Sequence, residues 1–146
     1  MKLLVAMLVI PAAWPQGGPP PGGTTTSVTY NATYKLDGGS ATQANQSYVA
    51  TAADTSAVWV TNSGALVLTN PTIKTRGNTS SQDNSSFYGL NAGLLATAAG
   101  IVSMTGGTIT TTGTGANGAF ATGAGSSVTL SGVTINCSAD RSLLAA

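Results

Sequence analysis

Histidine and glutamate are absent from this 146-residue chain, which has only five basic and four acidic residues. Without histidine there is no imidazole base and no ordinary zinc site. Apart from the start of the chain, the basic residues are isolated in sequence, whereas binding to nucleic-acid phosphates calls for clustered Lys and Arg. We therefore expect no nucleic-acid partner.

Cysteine is nearly absent as well, since Cys137 is the only one. A single cysteine excludes an internal disulfide framework. We interpret Cys137 as a small apolar residue that fills space in a core, and the alternative is a reactive thiol.

What is abundant is Gly, Ala, Ser and Thr, with 19 glycines in all. Thr and Val favour strands, whereas scattered Gly and Asn favour turns. Long helices would need more Glu, Lys and Leu. Apolar residues also recur in register, which a disordered low-complexity chain does not require. The composition predicts an all-β fold.

The first 13 residues have the pattern of a cleaved export signal. Lys2 precedes a short apolar run, and Ala12 and Ala13 supply small residues near a cleavage point. The run is too short to span a bilayer, so no membrane span is predicted. The alternatives are a buried first strand and an artefactual start. Residues 14–27 then form a Pro/Gly/Thr-rich linker. We expect an exported protein, extracellular or on the cell surface.

A repeat dominates the remainder of the chain. The segment VSMTGGTI begins at Val102 and matches VTLSGVTI, which begins 26 residues later at Val128. An earlier copy, LVLTNPTI, begins at Leu66 and precedes the middle one by 36 residues. The extra residues lie in a polar insertion at 77–89. Periods of this size are typical of stacked repeats.

Each copy contains three short runs with alternating polarity, separated by Gly, Asn or Ser. One copy therefore fits one coil of a right-handed parallel β-helix, with about three 26-residue coils in the chain. Alternation predicts which side chains point inward and which point outward. The inward columns are Val58/Leu94/Phe120, Leu66/Val102/Val128, Leu68/Met104/Leu130 and Ile73/Ile109/Ile135, and one outward column is Thr72/Thr108/Thr134.

These patterns divide the β-helix domain, residues 28–146, into parts. Residues 28–54 are predicted to cap the N-terminal end of the stack, and residues 55–142 to form the coils. At the other end the pattern stops near Arg141 without a visible cap. We expect self-association through this uncapped coil, because an open strand edge pairs readily with another chain.

Residues 85–140 resemble a widespread group of uncharacterised bacterial exported proteins. The phrases FYGLNA, TTTGTGANGAFATG and VTINC carry the resemblance, which extends back to about Ala32. Such proteins are pectate-lyase-like, adhesin-like right-handed parallel β-helices, so the resemblance implies export and a surface role. Members usually continue through further coils, and many carry a lipid-attachment cysteine after the signal. This chain has no such cysteine, and the resemblance identifies it as a truncated member.

Acidic residues are too few for the usual chemistry of enzymatic β-helices. Asp37, Asp54, Asp83 and Asp140 are never aligned with one another in the repeat. Calcium binding requires several carboxylates and glycoside hydrolysis requires two across one bond. A Ser/Lys pair is conceivable, but Lys74 is predicted to point outward. We predict no catalytic residue, no cofactor and no metal.

Three aromatic residues are the candidates for ligand contact. Phe87 and Tyr88 lie in the polar insertion, and such loops on a rigid stack often bind ligands. The alternative is that both pack against the coil wall and anchor the loop. Trp59 is predicted to point outward, and its alternative is to be covered by the N-terminal segment.

The sequence therefore predicts an adhesin-like structural and binding module, without enzymatic activity, whose partner is a polysaccharide or a cell-surface glycan. The alternative is a fragment of a polysaccharide-degrading lyase or hydrolase. A third interpretation is an ice-binding face on the Thr72/Thr108/Thr134 column, since regular threonines on a flat sheet suit ordered water.

Overall fold

The computed structural model describes residues 2–11, 27–138 and 141–145. The predicted linker, residues 14–27, lies outside this part except for Ser27, as does Asp140. Strands of three to a coil stack in parallel as a β-solenoid of about four turns, which confirms the predicted fold class. The handedness of the coils stays a prediction.

The element order follows the coils. Strand β1 (Lys2–Pro11) comes first. Coil 1 contains β2 (Asn31–Asp37), β3 (Ser40–Ala44) and β4 (Ser47–Ala50). Coil 2 contains β5 (Thr55–Thr61), β6 (Ala65–Thr69) and β7 (Thr72–Thr75), and is followed by helix α1 (Gln82–Tyr88). Coil 3 contains β8 (Ala92–Ala96), β9 (Ile101–Thr105) and β10 (Thr108–Thr111). Coil 4 contains β11 (Asn117–Ala121) and the long β12 (Ser127–Cys137), and β13 (Arg141–Ala145) follows.

Two sheets run along the stack. The first has the order β3-β6-β9-β12-β10-β7-β4, because β12 continues without a break through two strand positions. The second has the order β13-β11-β8-β5-β2. Every pairing between coils is parallel, whereas β1 pairs with β12 antiparallel, Lys2 opposite Asn136 and Pro11 opposite Ser127. Among the described residues, no helix has the length and apolarity needed to cross a membrane.

Three of the four predicted inward columns are confirmed. Leu66, Val102 and Val128 are in register, as are their counterparts two residues further along the strands. The isoleucines of the third strands, Ile73 and Ile109, are also in register. Their side chains are buried in the solenoid's core. These apolar columns hold successive coils together because burial of each side chain removes apolar area from water.

The fourth column needs a correction at Phe120. The residue in register with Val58 and Leu94 is Ala119, and Phe120 instead lies beside Leu95 on the outer side of the sheet. The physical reason is the corner that follows. Five residues (122–126) separate β11 from β12, whereas four (97–100) separate β8 from β9. The 26-residue period at Val128 therefore becomes 25 in β11, and a shift of one residue reverses the face.

Coil 1 both continues the stack and closes its core. It was predicted to be a cap, but β2, β3 and β4 each pair in parallel with the equivalent strand of coil 2. Inside this coil Gln43 occupies the column of Leu68. Its Nε2 atom donates to the Tyr34 hydroxyl at 3.1 Å, and the Tyr48 hydroxyl donates to its Oε1 atom. The apolar core thus ends in a hydrogen-bonded polar layer.

Both termini differ from the simplest prediction. Residues of the predicted export signal form β1, and cleavage of that signal stays a prediction. The repeat was expected to stop at Arg141, yet β13 pairs in parallel with β11, with Arg141 opposite Asn117 and Ala145 opposite Ala121. The coil pattern therefore continues in backbone pairing past the point where the sequence pattern fades.

Candidate functional site

The polar insertion contains the one helix of the described chain. Ser81 caps its N-terminus, because the Ser81 Oγ atom accepts a hydrogen bond from the Asn84 amide at 3.2 Å. Gly89 ends it with a φ of 71°, a left-handed conformation that glycine adopts without steric cost. The insertion had been predicted only as a loop, since seven residues are too few to show helical periodicity.

Buried polar side chains fasten this helix to the coils. Ser85 is fully buried, and its hydroxyl lies within hydrogen-bonding reach of the carbonyl oxygens of Leu90 and Gly115. The Asn117 Nδ2 atom donates to the Ser85 carbonyl oxygen at 3.0 Å. The Asn91 side chain donates to the carbonyl oxygen of Gly77, where the insertion begins. The insertion is therefore held at both ends by coil 3 and coil 4.

An outer apolar cluster lies on the second sheet, separate from the solenoid's core. Ala92, Leu95 and Phe120 form it, and Tyr30 and Trp59 pack against it. All three cluster residues are fully buried. The end of α1 lies on this cluster, because a Cβ atom at Gly89 would be 2.4 Å from Phe120 Cδ1. Phe120 therefore supports the insertion from below.

Trp59, Tyr30 and Tyr88 form what we call the aromatic strip. The rings of Tyr30 and Trp59 are tilted by 43° with centroids 5.3 Å apart. The Tyr30 hydroxyl donates to the Tyr88 carbonyl oxygen at 3.0 Å, and the Trp59 Nε1 atom donates to Thr97 Oγ1 at 2.8 Å. Two of the three predicted contact residues thus belong to one surface, and Tyr30 links them.

Phe87 lies next to Tyr88 on α1 and is 63% exposed. It is the most exposed of the chain's large apolar side chains that are described. Tyr88, by contrast, is half-buried. The predicted alternative, in which both residues pack against the coil wall, therefore holds in part for Tyr88 and is wrong for Phe87. Likewise, Trp59 is partly covered by the N-terminal segment, through Tyr30.

A polar rim borders the strip. The Lys35 Nζ atom lies 4.5 Å from the centroid of the Trp59 ring, close enough for a cation–π interaction. It also forms a 2.6 Å ion pair with the Asp37 carboxylate. Asn62 Nδ2 donates to Asp37 Oδ1 at 2.6 Å. The hydrogen bond from Lys35, with that from Asn62, lowers the pKa of Asp37, so this exposed carboxylate is ionised at neutral pH.

Burial has the opposite effect on Tyr30. Together with the neighbouring Tyr88, it raises the pKa of Tyr30 to about 12 from an ordinary 10.0. The Tyr30 phenol is therefore neutral at physiological pH and serves as a hydrogen-bond donor. It acts as a spacer that fixes the α1 end against β5.

Together these groups offer a surface of aromatic rings bordered by fixed donors and acceptors. Such a combination suits a ligand that has both C–H faces and hydroxyl groups, since apolar contact and a few placed polar groups define most small-molecule sites. Asp37 is the only carboxylate of this surface, and it is paired with Lys35. In the part of the chain that the structure describes, no group of three His, Cys, Asp or Glu residues could hold a metal ion.

No protein-family model matches this chain, and neither the curated proteins nor the solved structures contain a significant match. The parallel β-solenoid is compatible with adhesins and with proteins that bind or degrade polysaccharides. The geometry of the surface, and not a relative, must therefore carry any functional argument.

Sequence reasoning missed the residues that complete the surface. Tyr30 was seen to alternate with Tyr34, but it was assigned to the cap. Lys35 and Trp59 are opposite one another in β2 and β5, a separation of 24 residues that differs from the repeat period. The aromatic side chains at Tyr30 and Trp59 were the available signal, but only the pairing register brings them together.

Proposed function

We propose that this protein is an exported, adhesin-like module, extracellular or on the cell surface, that binds carbohydrate. The observation that carries the proposal is the exposed ring of Phe87 beside the aromatic strip and its polar rim. An exposed aromatic ring on a rigid support loses little conformational freedom on binding, so its apolar contact with a sugar ring is not offset by ordering. The role proposed is binding and not catalysis.

The rim favours an uncharged saccharide. Lys35 and Asp37 form an ion pair 2.6 Å long, so their charges largely cancel at the surface. A strongly anionic polysaccharide would have to displace Asp37 from Lys35 before it gained a cation. A neutral sugar can instead accept from the Asn62 and Lys35 donors and donate to the carboxylate. Neutral hexose polymers are therefore the ligand class proposed.

Export rests on the sequence of residues 1–13. The proposal expects the exported protein to begin after this segment, and N-terminal sequencing of material from the medium or the cell surface tests it. Export of a chain that retains residues 1–13 would overturn cleavage. Because β1 pairs with β12, cleavage would also leave the outer edge of β12 without that partner.

The experiment for carbohydrate binding measures retention of the whole chain on immobilised neutral and acidic polysaccharides. Phe87→Ala should weaken binding about 2- to 10-fold, the loss expected for one aromatic contact. Val67→Ala is the matched control, because Val67 is another exposed apolar side chain, on the first sheet. Both variants should keep the wild-type circular dichroism spectrum.

Three outcomes would contradict the proposal. They are the absence of retention on any polysaccharide, retention of Phe87→Ala equal to that of wild type, and an equal loss in the Val67→Ala control. Release of unsaturated or reducing ends during the same incubation would instead support the alternative, a fragment of a polysaccharide-degrading enzyme.

A further inference from the structure

The outer face of β3, β6, β9 and residues 127–131 of β12 is an array without a charged residue. Each strand contributes three outward side chains, so four coils give twelve positions, of which eight carry a hydroxyl group and four are aliphatic. The described charged side chains of the coils lie elsewhere, for example Lys74 on β7 and Lys35 on β2. This uncharged array lies on the first sheet, whereas the aromatic strip lies on the second.

The array is regular in two directions. Strand pairing places Ala44, Thr69, Thr105 and Ser131 opposite one another in consecutive coils. Neighbouring strands are about 4.8 Å apart, and same-face residues within a strand are about 6.8 Å apart. Side chains at these positions therefore repeat at fixed spacings across the face.

Methyl and hydroxyl groups alternate within this grid. The central column contains Thr42, Val67, Ser103 and Thr129 in register. Val67 is 45% exposed, as is Ile101 in the next column, so the aliphatic groups stand at the surface beside the hydroxyls. β-branched side chains are stiff at χ1, which keeps these groups in place.

The other face of the first sheet lacks this regularity. There the predicted threonine column is confirmed, since Thr108 lies opposite both Thr72 and Thr134. The column beside it, however, contains Lys74 opposite Thr110. A strongly hydrated ammonium group disturbs an ordered layer of water, so the predicted column is not the better candidate for contact with ice.

We infer that the uncharged array binds the surface of ice. Ice presents a regular lattice of uncharged donors and acceptors, which a fixed grid of hydroxyls can match and between which methyl groups can lie. Because the grid is built on backbone ladders, little entropy is lost when it orders the water next to it. A sugar site would need aromatic rings, and the twelve array positions contain none.

The test uses Thr105 and Thr108, which belong to the same coil and lie on either side of the Gly106–Gly107 corner. Thermal hysteresis and inhibition of ice recrystallisation are measured for the whole chain, Thr105→Lys and Thr108→Lys. Wild type and Thr108→Lys should both be active, and Thr105→Lys should lose most of the activity. Thr105→Val keeps the branched shape and should retain more activity than Thr105→Lys. Circular dichroism and melting temperature verify that each variant is folded.

An inactive wild-type chain would overturn this inference. So would a loss confined to Thr108→Lys, which would assign the contact to the other face. Adsorption to crystalline cellulose or chitin that Thr105→Lys abolishes, without an effect on ice, would assign the array to polysaccharide instead. Phe87→Ala should leave the ice activity unchanged, so this inference and the carbohydrate proposal can fail separately.

Discussion

Tyr30 donates its hydroxyl to the carbonyl oxygen of Tyr88 at 3.0 Å, a contact between residues 58 positions apart. It joins the first strand of coil 1 to the end of the helix inserted between coils 2 and 3. Because the same Tyr30 ring packs against Trp59, one side chain aligns the helix with the sheet. The candidate site therefore exists only when three separate parts of the chain are folded together.

Tyr30 also gives this arrangement a pH dependence. Its pKa is raised to about 12 in the folded protein, whereas the unfolded chain should titrate near 10.0. The folded state therefore holds the proton more tightly, and this contribution to stability is complete below pH 10. It is lost as the pH rises from about 10 through about 12.

Tyr30→Phe removes this titration and the hydrogen bond to Tyr88. We expect the variant to be less stable than wild type at neutral pH, and the difference to shrink above pH 10. Urea unfolding from pH 8 to pH 11.5 measures both curves, and other groups that titrate in this range are common to both proteins. Curves that stay parallel throughout would contradict the role assigned to Tyr30.

Phe120 should be essential for stability and Phe87 should not. Phe120 is fully buried beneath α1, whereas Phe87 is 63% exposed. Phe120→Ala should therefore lower the free energy of unfolding by about 3–5 kcal/mol. Phe87→Ala should change it by no more than about 0.5 kcal/mol. Chemical denaturation distinguishes the two, and similar losses in both variants would argue against the outer cluster.

The coils should tolerate no side chain where their corners touch. A Cβ atom at Gly113 would lie 1.8 Å from the carbonyl oxygen of Gly77 in the coil below. Gly39 is the matched control, since its φ is +67° but no atom lies within 4 Å of the added Cβ. Gly39→Ala should cost about 1–2 kcal/mol for the left-handed backbone alone. Gly113→Ala should cost more, because backbone must move, and a smaller cost would contradict the stacking of these corners.

Much of the coil architecture could be predicted because each link between residue and structure is local. Alternation fixed the inward columns at Leu66, Val102 and Val128, and Gly100 recurred because a Cβ atom there would be 2.3 Å from the Val60 carbonyl oxygen. The register of Phe120 could not be predicted in the same way. A single extra residue in the following corner is invisible in a repeat whose other strands keep the 26-residue period.

The candidate site was predictable only in part, because it depends on contacts between distant segments. Phe87, Tyr88 and Trp59 stood out as aromatic residues in polar surroundings. Tyr30 and Lys35 join them through the pairing of β2 with β5, which has its own spacing. The helix itself had sequence signals, Ser81 before it and Gly89 after it, but its seven residues are too few for a periodic pattern.

The central claim is that a carbohydrate contacts the surface around Trp59, and tryptophan fluorescence tests it most directly. The chain has two tryptophans, so replacement of Trp14 by Phe leaves Trp59 as the only reporter. Titration with neutral cello-, manno- and chito-oligosaccharides should give a saturable change in Trp59 emission with at least one of them, and Phe87→Ala should shift that titration to higher sugar concentration. An emission spectrum that no oligosaccharide changes, in a protein that binds the corresponding polysaccharide, would show that the sugar binds elsewhere.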